Sequence, residues 1–533
     1  MPSISNGIRI GGAKLPDYWE GYGTKIYIDP SVAGPGTGTI DDPLKALPAT
    51  VLTASDTAWL IKGGETLVLA GNTTCTGTDS IIGVYGGGTA TVDCSSTSSS
   101  FPINATRFKF RDLVMAGSTG NNGAFINMVS GCVDCELINC TITAASMGRN
   151  VVSHAAGASG FLMQGCTIQV TSSAGANQLI QEEGAGATYI GNTISMPADF
   201  VYTDSAIGLL LDGTDTTVTA NTFTGSGNNL MEDRGADSII TNNTFNGAIS
   251  DSYGSEAALL RVEGDNATVT SNTFNGGRSQ IYVRGGSGGA TVATPTISNN
   301  TFSDGIFGVL AIASTSGGGE TISGMTISNN TFNDCWNGET YASTNGEGAG
   351  VQLNDTSTGN LTNPTITNNT FNDCYQSIYD NRANNADGAI TYNTANDSLV
   401  NGINFANIAG ADTGCEIKYN TVNECGTDAA VGHCIAIQPA SSNVSGTVDI
   451  QNNILTLSTA ATDKQCMVLP VLVADLGAAT IDNNTYNTFN GANIGGVNDG
   501  GGHDDYTDPT LWKAALVTAG VTGADANSTF NSA

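Results

Sequence analysis

Thr296–Phe302 reads TISNNTF, and the same seven positions return as TISNNTF at Thr326–Phe332 and TITNNTF at Thr365–Phe371. With the residue before the last Thr of each segment as anchor, the series runs Cys140, Cys166, Asn192, Asn221, Asn243, Asn272, Asn300, Asn330, Asn369, Asn393, Asn420, Asn453 and Asn484. The anchors recur about every 29 residues, a solenoid period rather than that of a single globular core. Each repeat holds short alternating strands rich in β-branched residues, such as Ile239–Thr241, Thr268–Thr270 and Thr296–Ser298, separated by Gly, Asn and Asp turns. Leucine-rich repeats share the period, but their Leu consensus is absent. An Asn at a turn tolerates the left-handed region and can bond the next coil, so Asn stacked in register forms a ladder satisfying buried turn groups. That reading accounts for the Asn-x-Thr triplets better than glycosylation does. The apolar residue after the Thr (Ile194, Phe223, Phe245, Phe274, Phe302, Phe332, Phe371, Tyr486) stacks on its equivalents. The expected fold is all-β: a right-handed parallel β-helix of about 13 to 16 coils.

Composition agrees with a stacked core. Gly numbers 69, charged residues make up 12% and hydrophobic residues 39%, too apolar for disorder and too poor in charge for a helical protein. The net charge of −31 repels phosphate backbones and anionic membrane surfaces, which argues against a nucleic-acid partner. No apolar run approaches the roughly 18 residues that span a bilayer, and the N-terminus lacks the charged and apolar regions of a signal peptide. The 12 cysteines follow the repeat, Cys140 with Cys166 and Cys335 with Cys374 and Cys425, and read as small buried hydrophobes, with stacked pairs near disulfide reach.

Strand edges at both ends call for caps. The expected organisation is an N-terminal arm over 1–23, an N-terminal cap over 24–60, the β-helix over 61–490 and a C-terminal cap over 491–533. A short helix is expected over Leu44–Ala54. A second is expected after Asp508 as N-cap, with Pro509 in first position, Trp512 on its apolar face and a stop at Gly520.

The stretch YIDPSVAGPGTGTIDDPLKAL (Tyr27–Leu47) resembles the opening motif of the pectate-lyase-like right-handed β-helix superfamily, and the ITNNTF repeats resemble its coils. The resemblance covers roughly Lys25 to Phe530 and is specific for fold. The superfamily includes polysaccharide lyases, glycoside hydrolases, esterases, phage tailspikes and adhesins, and fold alone does not choose among them. Its catalytic signatures do not transfer: His433 and His503 stand isolated, and no Asp-Asp or Gly-His-Gly series runs through the coils.

Charge is scarce, so its alignment carries information. Counted back from the anchors, five successive repeats read LIQEEG, GLLLDG, NLMEDRG, LLRVEG and QIYVRG. Alternation puts Glu183, Asp212, Glu232 and Glu263 on one outward face, threaded by Arg234, Arg261 and Arg284 and joined by Tyr282. Two readings stay open: a solvated, salt-bridged sheet face, or a carbohydrate groove. In the groove the four acids are the catalytic candidates, and the arginines with Tyr282 grip hydroxyls and carboxylates. Carboxylates on adjacent coils would stand about 5 Å apart, the retaining-glycosidase separation, and those two coils apart about 9.6 Å. Trp336 and Tyr375 share a repeat position with Ile306 beside the insertion Asn337–Gly350, with Glu320, Glu339 and Glu347 in nearby loops. They read either as core or as a second sugar-binding platform. No metal site or cofactor is expected; Asp29, Asp41 and Asp42 are the acids a calcium ion would use in the front cap, but they match no ligand spacing, and turn capping accounts for them.

The functional expectation is a phage virion-surface β-helix, tailspike-like or a decoration or fibre protein, that contacts cell-surface polysaccharide and is made in the host cytoplasm. The arm, with Tyr18 and Trp19, would dock onto other virion proteins, and the resemblance to tailspikes implies a homotrimer. The alternatives are a polysaccharide lyase or glycoside hydrolase, and an extracellular bacterial surface adhesin.

Overall fold

The computed structural model describes residues 9, 10, 13, 14, 18–47, 51–95, 100–119, 124–147, 150–171, 178–197, 207–225, 229–247, 257–285, 291–313, 319–336, 348–355, 359–382, 387–405, 414–426, 431–437, 448–458, 463–470, 479–490, 492–498, 503–518, 521 and 523–532. The chain divides into two compact units, Met1–Ala248 with Ser252–Gly254, and Ile249–Asp251 with Ser255–Ala533. Both are parallel β-helices.

In the N-terminal unit one coil runs through Thr217–Thr219, Thr222–Gly225 and Asn229–Asp233, and each strand pairs in parallel with its counterpart a coil away. Three ladders result, named first, second and third in chain order within a coil. In the C-terminal unit the coil Thr365–Thr367, Thr370–Asn372 and Gln376–Asn381 repeats the plan. A side sheet of Thr291–Ala293, Thr321–Ser323 and Asn360–Thr362 is added there.

The corner between the first and second ladders explains why the repeat looks as it does. The residue before each anchor takes the left-handed turn: Asn242, Asn299, Asn329 and Asn368 have φ of 55–57°. Ala220, Ser271, Tyr392 and Tyr419 do the same job, so this position does not require Asn. The anchor does. Asn369 Nδ2 donates to Ile327 O (2.9 Å) and Asn393 Oδ1 (3.0 Å), while its Oδ1 accepts from the backbone N–H (2.9 Å) and Nδ2 (3.0 Å) of Asn330. The pattern runs from Asn272 to Asn484 in this unit and ends on Ser528 Oγ. In the N-terminal unit it begins at Cys166, whose N–H donates to Asn192 Oδ1, and passes through Asn221 to Asn243. The aromatic residues two positions on are fully buried and stack face to face: Phe223 on Phe245, and Phe274, Phe302, Phe332 and Phe371 in series, with centroids 4.6–5.1 Å apart. All 12 cysteines are buried, as their repeat positions predict, and no disulfide joins them.

The ends are closed by different means. Asp508 caps the helix Pro509–Thr518 by accepting from Thr510 N (2.7 Å) and Leu511 N (3.4 Å). Trp512 is buried beside Gly495, where a Cβ would fall 2.5 Å from the ring. Its Nε1 and the Tyr486 hydroxyl both donate to buried Asp525 Oδ2, each at 2.8 Å. The predicted stop at Gly520 lies outside the described residues. At the front the expected helix over Leu44–Ala54 does not form: Leu44 bridges Ile28 and exchanges hydrogen bonds with Tyr27 and Asp29, and Val51–Leu52 is already a strand. Pro48 explains this, since it lacks an N–H and disfavours helical geometry at Leu47.

The first rung is Thr24–Ile28, paired in register with Thr57–Lys62. Tyr18 and Trp19, read from sequence as docking residues, fold down instead. Trp19 is buried against Ala58, Leu60 and Ile81. The Tyr18 hydroxyl accepts from Val84 N at 3.0 Å, and Arg111 sits 4.3 Å above its ring. A Trp and a Tyr beside a sheet bury more apolar area there than in water, so these two side chains serve the fold. Most of the remaining arm lies outside the described residues.

Candidate functional site

Pleating decides which residues face out. On the second ladder the outward positions are monotonous: Thr273, Thr301, Thr331 and Thr370 in one row, Asn333, Asn372, Asn396 and Asn423 in the next. The third ladder is where charge, amides and aromatic rings collect.

In the N-terminal unit the register sorts the predicted acids into two rows. Gln181, Leu210 and Glu232 form one. Glu183, Asp212 and Arg234 follow two positions along, so Glu232 stands in the row of Gln181 and not of the other two acids. Glu232 was expected on an outward face, and there it is 1% exposed. It is held there by Asn229 Nδ2 (3.0 Å), Arg234 Nε (2.6 Å) and Arg234 Nη2 (2.5 Å). The guanidinium extends toward Asp212, Nη1 to Oδ1 3.8 Å. Burial pushes the Asp212 carboxyl above its usual range; Arg234 opposes this, and Glu183 and Glu232 add to it. Gln181 Nε2 donates to Glu183 Oε1 (2.5 Å) and its Oε1 accepts from Asn150. The result is a polar chain in which Asp212, its carboxyl raised by burial, lies one rung from Glu183, about 4.8 Å by strand spacing.

Glu182, between Gln181 and Glu183, points inward and was missed. It is fully buried, accepting from Gly184 N (2.7 Å) and the Tyr189 hydroxyl (2.8 Å), with His154 Nδ1 2.5 Å away. Asp233 is likewise internal; burial raises its carboxyl to about 7, and Ser238 Oγ donates to it at 2.9 Å. The clue was alternation itself, which sends every second residue of QEE and EDR into the core.

In the C-terminal unit Arg261 pairs with Glu263, and its guanidinium lies 5.9 Å from the Tyr282 ring centroid. Both Arg261 and Tyr282 are buried rather than solvated. Arg284 Nη2 lies 3.6 Å from Glu320 Oε1. Glu320, read from sequence as a loop acid near Trp336, is fully buried and belongs instead to this face. Tyr282 joins Ala258, Phe307, Leu310 and Tyr379 in an apolar cluster on the outward side. Of the second predicted site, Ile306 is buried in this cluster, Trp336 is 37% exposed and Tyr375 half-buried, so the two aromatic residues are not core. Glu339, Glu347 and most of the insertion lie outside the described residues. Asp29 is a turn cap and ion-pair partner, accepting from Ser31 N (3.0 Å) and Lys62 Nζ (2.8 Å).

No protein-family model matches the chain, and no curated protein matches it. Among solved structures it is similar to the tailspike protein of E. coli bacteriophage HK620 in complex with pentasaccharide, at 13% identity and a TM-score of 0.45. Mutants of that tailspike bound to pentasaccharide and to hexasaccharide match at 13% identity and a TM-score of 0.47. Each match covers 83% of this chain and 72% of the other. At this identity and TM-score the likeness assigns no residue here a role.

Proposed function

We propose that the chain is a carbohydrate-contacting β-helix protein of a phage virion surface, and that the outward face of the third ladder is its glycan-binding surface. One observation carries the glycan reading: Glu232, an acid that would be hydrated on an ordinary sheet face, is 1% exposed and fixed by Asn229 and Arg234 next to the partly open Asp212. Acids and guanidinium groups held rigid in this way suit hydrogen bonding to sugar hydroxyls and carboxylates. A surface ion pair contributes little to stability, so stability does not account for burying this one. The virion assignment and the homotrimer are expectations carried from the sequence. Mass spectrometry of purified virions and light scattering of the purified chain test them.

Glycoside hydrolysis is the second reading, favoured by the raised carboxyl of Asp212 one rung from Glu183, two carboxyl groups near the retaining separation. Incubation with capsular polysaccharide and lipopolysaccharide, read by reducing ends and by binding, separates the two. Binding without new reducing ends, weakened at least tenfold by Arg234→Ala, supports the binder. Release of reducing ends that falls about 10²–10⁴-fold in Asp212→Asn supports the hydrolase. Binding indifferent to Glu232→Gln, Arg234→Ala and Asp212→Asn removes this face from both.

A further inference from the structure

Gln352, Tyr379 and Asn404 follow one another in register on three successive coils of the C-terminal unit's third ladder. Their strand neighbours Val351, Ile378 and Ile403 point inward and are at most 1% exposed, so the three side chains project outward. An outward amide ordinarily meets water. These do not: Gln352 is 4% exposed and Asn404 5%, with Tyr379 between them at 8%. Among the described residues, Gln352 Oε1 and Asn404 Oδ1 nevertheless accept no hydrogen bond, and neither does Asn354 Oδ1, two residues along the strand from Gln352 on the same face. The Asn404 amide is not adrift, because its Nδ2 donates to Gln376 Oε1 at 2.9 Å, which leaves the oxygen aimed away.

Buried acceptors without donors are rare because each loses its hydration and gains nothing in return. Three of them lie on neighbouring rungs around one tyrosine. In the same coils the anchor amides of Asn330, Asn369 and Asn393 use both oxygen and nitrogen. The nearest charges on these strands do not face the patch: Asp380 points inward and forks with Arg382 at 2.7 Å.

We propose that Gln352, Tyr379 and Asn404 form a binding subsite for an uncharged, hydroxyl-rich ligand of the sugar class. Acceptors without a donor among the described residues select a ligand that brings donors, and hydroxyl groups supply them. The tyrosine gives the C–H face of a sugar ring an apolar surface between the two amides. The proposal rests on the reading of the third-ladder face as glycan-binding, and it adds that this stretch of the C-terminal unit takes uncharged sugars.

The experiment uses the full chain and oligosaccharides released by mild acid from the surface polysaccharides of a panel of Gram-negative bacteria. An anion exchanger splits them into an unretained neutral pool and a retained acidic pool. The expected result is that the wild type binds neutral oligosaccharides, and that Gln352→Met and Tyr379→Ala each weaken this at least tenfold. Gln352→Met should at the same time melt at or above the parent temperature, because it removes an unpaired buried acceptor; a structural glutamine would lower it. If both variants bind neutral oligosaccharides like the parent, or only the acidic pool binds, the subsite is wrong while the general glycan reading stands. If neither pool binds, both readings fall together.

Discussion

Asn369 and Tyr379 belong to the same coil of the C-terminal unit, yet the structure uses their surroundings in opposite ways. Around Asn369 every coil repeats the same residue, and every polar atom of the side chain is used. Around Tyr379 neighbouring rungs carry Leu310, Gln352 and Asn404, and acceptors are left over. Repetition follows where stacking is the only requirement. Departure from it, combined with burial, marks surface available for recognition.

The largest effect is expected at the repeated corner. Asn369→Leu strands Ile327 O and the Asn330 N–H and leaves the side chains of Asn330 and Asn393 each short of a bond. At about 1–3 kcal/mol per unpaired buried group, the loss should exceed about 4 kcal/mol, read as a fall in the chemical denaturation midpoint. A variant that melts with the parent would break the comparison at its root.

Asp233 gives the next effect, and its sign depends on pH. Burial raises its carboxyl to about 7, so between pH 4 and 7 the folded chain holds a proton that the unfolded chain has released. Stability is therefore lost as pH rises through that window. Asp233→Asn should be the more stable protein at pH 8, by up to roughly 4 kcal/mol, with the gap closing below about pH 4. A gap that stays constant with pH would show that the acid is not neutral when folded.

Trp19→Ala follows, at about 3 kcal/mol, because the ring is buried on Ala58, Leu60 and Ile81. If thermal melting is unchanged, the contact is not part of the fold and the docking role returns.

These cases also show what was legible in the chain. The spacing of Asn300, Asn330 and Asn369 and the aromatics behind them predicted the ladder and the ring stack, because both repeat in every coil. Asp508 and Pro509 marked the C-terminal helix. The candidate site was only half legible. Alternation placed Glu232 and Arg261 outward, but burial depends on packing from outside the strand, which period-2 reasoning cannot see. Gln352, Tyr379 and Asn404 escaped because the loops between coils vary in length, so no fixed offset from the anchors reaches all three. Glu320 was assigned to the wrong neighbourhood for the same reason: its partner Arg284 comes from the preceding coil's third ladder.

The smallest expected effect sharpens the comparison most. Asn372 lies three residues from Asn369 and makes bonds of the same kind: its Nδ2 donates to Asn333 Oδ1 at 2.9 Å, and its Oδ1 accepts from Asn396 Nδ2 at 3.0 Å. The difference is that this row is only half-buried on the outer face of the second ladder. When Asn372 is cut back to Ala, water can reach the Asn333 and Asn396 amides and replace the lost bonds, so the cost should stay within about 0.5 kcal/mol. Measuring Asn369→Leu and Asn372→Ala side by side by denaturant titration separates the two sources of ladder stability. If burial sets the value, the ratio of the two losses is large. Comparable losses would mean that the amide–amide bond itself holds the coils together, and the outer row would then be as much a structural ladder as the inner one.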